Sequence, residues 1–150
     1  MTRLVLAGLV TGLVDGLWAI ALSLWNHRPV IKLWQYVASV PFGKGMLEGG
    51  YGAALVGIAL HFVVAFTWCA VFFLLVSRSS WLREVISSPA GVLSVGAIYG
   101  PLIWIVMSIV VIPILAHRPF AISAGWWIQL AGHALFVGLP IVGMIGRGRG

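Results

Sequence analysis

Four apolar runs, each long enough to cross a lipid bilayer, fill most of this 150-residue chain. They extend from Leu4 to about Trp25, Gly52 to Val76, Ala90 to Ala116, and Ser123 to Ile145. A hydrocarbon core of about 30 Å needs about 20 residues of helix. Inside lipid every backbone N–H and C=O must be satisfied within the protein, which leaves helices or a closed barrel. Sustained alternation is missing, and a barrel needs more strands than this chain can supply. The expected fold is therefore all-α: one domain over residues 1–150, an integral four-helix transmembrane bundle. Composition agrees, since 61% of residues are hydrophobic and only 8% charged, against about 25% charged in soluble domains. A soluble fold would lack the polar surface to cover itself.

The net charge of +6 comes from nine Lys and Arg against three acids, almost all outside the apolar runs. Such scattered cations suit lipid headgroups and topology signals, and they exclude a phosphate-tracking nucleic-acid surface. The bilayer is the expected partner. With four spans, Arg3, Arg78, Arg83, Arg147 and Arg149 share one side, while Arg28, Lys32, Lys44 and Arg118 share the other. That small excess places both termini in the cytoplasm. The first run has the small-residue pattern of a cleavage site at Ala19 and Ala21. Asp15 within it, and its continuation to Trp25, argue for a retained span over a signal peptide. Cys69 is alone in an apolar run and forms no redox or metal motif.

The connection from Asn26 to Tyr51 is long and partly apolar. Ile31–Val40 reads as an amphipathic segment in the membrane interface between the first two helices, ended by Pro41 and the Gly43–Gly45 turn. Ser77–Pro89 reads as a short basic hairpin loop, and His117–Ile122 as a tight turn. Trp25, Trp34, Trp81, Trp126 and Trp127 fall near helix ends, as an aromatic belt requires. His27 and His117 sit at helix ends too, and Glu48 and Glu84 are loop acids near basic residues.

Transmembrane helices associate where small residues recur at four-residue spacing. Gly8, Gly12 and Gly16 form one stripe, and Gly96 and Gly100 a shorter one. Packing inside the bundle is the expected use; a homo-oligomer face is the alternative. Pro101, Pro113 and Pro140 lie within helical patterns and are expected to interrupt the hydrogen-bond ladder locally. Such breaks are common in membrane helices and also shape substrate sites in transporters.

Three runs carry an ionisable residue near their middle: Asp15, His61 and His133. Counted from the run ends, these lie roughly 16, 14 and 15 Å deep, near one midplane. Gln129 is one turn from His133, and Tyr99, Thr67 and Ser108 are further candidates for the same network. Ionisable groups at such depth are costly and need a partner or a use. Three uses stay open. The cluster is a structural hydrogen-bond junction, or a proton or solute pathway, or a metal or b-type haem site ligated by His61 and His133. No metal-ligand spacing, phosphate loop, dinucleotide fingerprint or nucleophile elbow is present, so the expectation is no enzyme and no cofactor.

The stretches LHFVVAFTWCAVFF at Leu60–Phe73, AIYGPLIWIVMSIVVIPIL at Ala97–Leu115, GHALFVGLPIVG at Gly132–Gly143 and LWQYVASVPFGKGMLEGG at Leu33–Gly50 together form a pattern. It resembles small uncharacterised bacterial inner-membrane proteins of four helices, similar to the YagU-like group. The resemblance implies a multi-pass protein of the bacterial cytoplasmic membrane, with His61 and His133 on that group's histidine positions. It brings no reaction. The expected role is a non-enzymatic membrane protein, structural or accessory to a larger assembly, possessing an intramembrane Asp/His/His cluster. A transporter or proton conductor and a haem- or metal-binding electron carrier are the alternatives.

Overall fold

The computed structural model describes Thr2–Gly146, and most of these residues are helical, with no strand among them. Four helices are long and apolar enough to span a membrane: α1 (Thr2–Trp25), α3 (Gly50–Arg78), α5 (Pro89–Ala116) and α6 (Ala124–Gly146). Two shorter helices join them, α2 (Val30–Phe42) and α4 (Ser80–Val85). Arg147 and Arg149 lie outside the described residues, so one side of the charge comparison rests on sequence alone. At 29 residues, α3 is about 43 Å long, so its ends project beyond a 30 Å core.

The glycines set the helix order. On α1, the space above Gly8, Gly12 and Gly16 is filled by Phe66, by Phe62, and by His61 with Trp34. This lays α1 antiparallel along α3. On α5, Gly96 and Gly100 meet the backbone of α6 at Leu139 and His133, while Gly138 of α6 faces the Gly96 carbonyl and the Gly100 nitrogen. Side chains at these positions would strike main chain. Trp18 of α1 fills the space over Gly132 of α6. Both glycine faces are thus occupied within the chain, leaving neither for a second copy.

Tyr99 closes the ring of four helices, with its ring 4.9 Å from that of Phe72 on α3. Around this contact lies the apolar core: Ala7, Cys69, Phe72, Val76, Ile103, Val137, Ile141, Val142 and Ile145. It fills the half of the bundle nearer the chain's N-terminus. Cys69 is a free, buried thiol within it, acting as a small apolar residue.

The opposite half is filled by α2. Its buried face is Trp34, Gln35, Ala38 and Ser39. Gly57 of α3 lets the Trp34 backbone come close, and Gln35 Nε2 donates to the Gly50 carbonyl at 3.1 Å. Lys32 Nζ holds the following turn through the Leu47 carbonyl at 2.8 Å and Glu48 at 3.4 Å. So α2 is more than a surface segment. Trp34 leaves the expected aromatic belt and becomes interior, whereas Trp25, Trp81 and Trp127 stay exposed.

The expected hairpin loop after α3 contains α4. Ser79 caps it by accepting from Leu82 N at 3.1 Å, and Arg83 donates to the Val76 carbonyl at the end of α3 at 2.8 Å. Ser88 caps α5 in the same way through Gly91 N at 3.0 Å, with Pro89 in the first turn, where its missing N–H is harmless. The prolines behave differently from one another. A π-helical segment, Val106–Val111, ends two residues before Pro113, and another, Ala134–Gly138, ends two residues before Pro140. Each proline removes one ladder donor and crowds the carbonyl four residues earlier, and the wider turn relieves both. Pro101 leaves its stretch α-helical.

A polar junction between three helices

Asp15 faces two neighbours from the middle of α1. His61 of α3 places Nδ1 3.9 Å from Asp15 Oδ2, within ion-pair reach but beyond hydrogen-bond length. His133 of α6 also lies within electrostatic reach of Asp15. The helix order explains the meeting. The glycine face of α1 presses on α3, and Trp18, one turn from Asp15, presses on α6 beside His133. The side chains of Asp15 and His61 keep 19% and 14% of their surface open, so the junction is not sealed.

Main-chain carbonyls fix both imidazoles. His61 Nε2 is 2.8 Å from the Gly12 carbonyl, and His133 Nδ1 is 2.8 Å from the Gln129 carbonyl. A carbonyl only accepts, so each of those nitrogens carries a proton. The consequences differ. His61 turns Nδ1 toward Asp15, 3.9 Å away and beyond hydrogen-bond length. His133 leaves Nε2 without a hydrogen bond among the described residues. Each imidazole also packs on a tryptophan: His61 edge-on to Trp34 at 5.4 Å between centroids, His133 against Trp104 at 4.9 Å. Such rings favour a cation beside them.

Several expected members of the cluster lie elsewhere. Tyr99 points away from Asp15 and donates to the Trp68 carbonyl at 2.9 Å. Neighbouring helical residues point about 100° apart, so with Gly100 turned to α6, Tyr99 turns to α3. Gln129 takes part through its carbonyl, and its amide makes no hydrogen bond among the described residues. The Thr67 hydroxyl returns to the Val63 carbonyl at 2.8 Å on an exposed face. Ser108 accepts from Trp126 Nε1 at 2.9 Å, in the aromatic group formed by Trp104, Trp126 and Phe120.

Three tryptophans missed in the sequence complete the junction. Trp34 and Trp104 back the imidazoles. Trp18 stacks on Phe136 at 4.8 Å, and its Nε1 is buried without an acceptor. Its signal was its position three residues after Asp15, hence on the same helix face. The signal for Trp34 was the pairing of 34, 35 with 38, 39 on one face of α2. Trp104 offered none.

Among the described residues no group of three His, Cys, Asp or Glu side chains is arranged around a metal position. Ligation by His61 would displace either the Gly12 carbonyl or Asp15 from a ring nitrogen. The arrangement suits proton binding: Asp15 Oδ2 and His61 Nδ1 face each other 3.9 Å apart, and each can take a proton. No family model, curated protein or solved structure matches this chain.

Proposed function

We propose that this chain is a non-enzymatic, multi-pass protein of the bacterial cytoplasmic membrane whose Asp15–His61–His133 junction takes up and releases a proton during proton or small-solute translocation. The observation carrying the reading is Asp15 set between two imidazoles, each held in one tautomer by a main-chain carbonyl. A purely structural clamp needs hydrogen bonds. It does not need a carboxyl group facing an imidazole at mid-membrane depth, where ionisable groups are costly. Proteoliposomes with the purified protein and an imposed pH gradient test it. The expected result is proton flux in the wild type that falls at least tenfold in Asp15→Asn and His61→Ala. Flux no greater than in protein-free liposomes rejects it.

A second reading has its own support. The His61 imidazole ties α3 to α1 through the Gly12 carbonyl, which suits a structural or accessory subunit of a membrane assembly. No flux, together with a membrane protein co-purifying in mild detergent, favours that reading. Haem or metal ligation by His61 and His133 is the weakest of the three, because His61 gives Nε2 to the Gly12 carbonyl and turns Nδ1 toward Asp15, and among the described residues no third His, Cys, Asp or Glu side chain completes a metal position. The affinity with the YagU-like group and the cytoplasmic placing of both termini belong to the same proposal and rest on sequence.

A further inference from the structure

The chain has only three acids, Asp15, Glu48 and Glu84, and among the described residues none of them pairs with Arg118, which is half-buried. Asp15 is in mid-span beside His61. Glu48 pairs with Lys32. Glu84 is in α4, at the opposite end of the bundle. Arg118 follows the end of α5 by two residues and precedes α6, so it sits at the headgroup level of the face that α2 covers.

Its guanidinium lies over the Tyr36 ring, 5.2 Å from the centroid. One nitrogen reaches Ser39 Oγ at 3.4 Å, a long bond. Ser39 in turn donates to the Tyr36 carbonyl at 2.8 Å, so its oxygen is oriented to accept. A guanidinium has five N–H donors, and among the described residues Ser39 takes up one of them. The backbone N–H groups of Arg118, Phe120, Ala121 and Ile122 also make no hydrogen bond among the described residues. His117, with φ of 48°, turns the chain so that this donor-rich loop stands beside α2. Apolar surface continues below it at exposed Ile114, Leu115 and Phe42.

We infer that Arg118, held by Tyr36 and Ser39, binds the phosphate of an anionic phospholipid, whose acyl chains lie on the adjoining apolar surface. A planar guanidinium matches two phosphate oxygens at once, and basic sites between spans at this level are suited to lipid headgroups. The site is independent of the Asp15 junction, which lies in the middle of the bundle.

Native mass spectrometry of the purified chain with added phosphatidylglycerol tests this. The expected result is one retained lipid, at least fivefold less in Arg118→Gln and unchanged in Arg28→Gln, an exposed arginine on the same face. Arg118→Lys keeps the charge without the planar fork and is expected to fall between them. Adding 50-fold excess inorganic phosphate is expected to leave the lipid adduct in place. Equal retention in Arg118→Gln and wild type overturns the inference. Displacement by inorganic phosphate overturns the lipid assignment in favour of a free-anion site. Should Arg118→Gln lose its helical signal, Ser39→Ala replaces it: a twofold or greater loss of lipid supports the site, and full retention overturns it.

Discussion

At the residue scale the account turns on Asp15. A carboxyl group in the middle of α1 gives His61 Nδ1 its ion-pair neighbour at 3.9 Å, and its removal leaves that ring nitrogen facing a low-dielectric setting. Asp15→Leu is expected to cost about 1–3 kcal/mol, the usual penalty for a buried polar partner left alone. Unfolding by a denaturing detergent measures it, and a variant as stable as wild type counts against the junction. The depths of Asp15, His61 and His133 were legible by counting residues from the run ends. Their directions were not. Whether residue 99 or residue 100 faces α6 depends on which helix packs where, and only the main-chain contact at Gly100 decides it. For that reason Tyr99, equally plausible in sequence, serves α3 instead. Trp18, with its buried unpaired Nε1, is the natural next variant: Trp18→Phe removes a costly orphan donor while keeping the stack on Phe136, and is expected to retain or slightly raise stability in the same assay.

At the element scale the glycines divide into those that permit helix contact and those that do not. A methyl group at Gly100 would meet the His133 carbonyl, and one at Gly57 the Trp34 carbonyl. Main chain yields little, so Gly100→Ala and Gly57→Ala are expected to destabilise by about 1–3 kcal/mol or more. At Gly143 the nearest atom would be Val92 Cγ1 at 3.9 Å, an ordinary contact. Gly143→Ala is therefore expected to be neutral or stabilising by up to about 1 kcal/mol through helix propensity. Thermal melts of the three variants check the ranking, and equal melts would contradict it. The caps behave as residue chemistry requires, and Ser88→Ala is expected to cost about 1 kcal/mol. The stripe Gly8, Gly12, Gly16 was plain in the sequence. That α2 fills half the bundle was not, because a 13-residue segment of mixed polarity suits the interface equally well. Its Trp34–Gly57 contact joins positions far apart in the chain.

At the scale of the whole molecule the bundle has two unlike halves. One holds a dense apolar core around Phe72 and Ile141, and the other is closed by α2 beneath a cationic face. Between them sits the junction, with π-helical turns in both α5 and α6. Topology is testable by labelling. In a Cys69→Ser background, cysteines introduced at Trp81 and Lys44 are expected to react from opposite sides of the membrane, with position 81 cytoplasmic. Labelling of both from the same side would refute the four-span arrangement. The four spans could be read from hydropathy alone, since lipid leaves so few ways to satisfy a backbone. The grouping of partners around Asp15 could not, as it depends on the order in which the helices surround α1.

The most direct test of the central claim is nitrogen-15 NMR of the histidine rings in lipid, assigned with His61→Ala and His133→Ala. The account predicts two distinct signatures: Nε2 protonated in His61 through the Gly12 carbonyl, and Nδ1 protonated with Nε2 as a free acceptor in His133. The His61 Nδ1 signal is also predicted to change in Asp15→Asn. Two rings with the same averaged tautomer, and a His61 signal indifferent to Asp15, would contradict it.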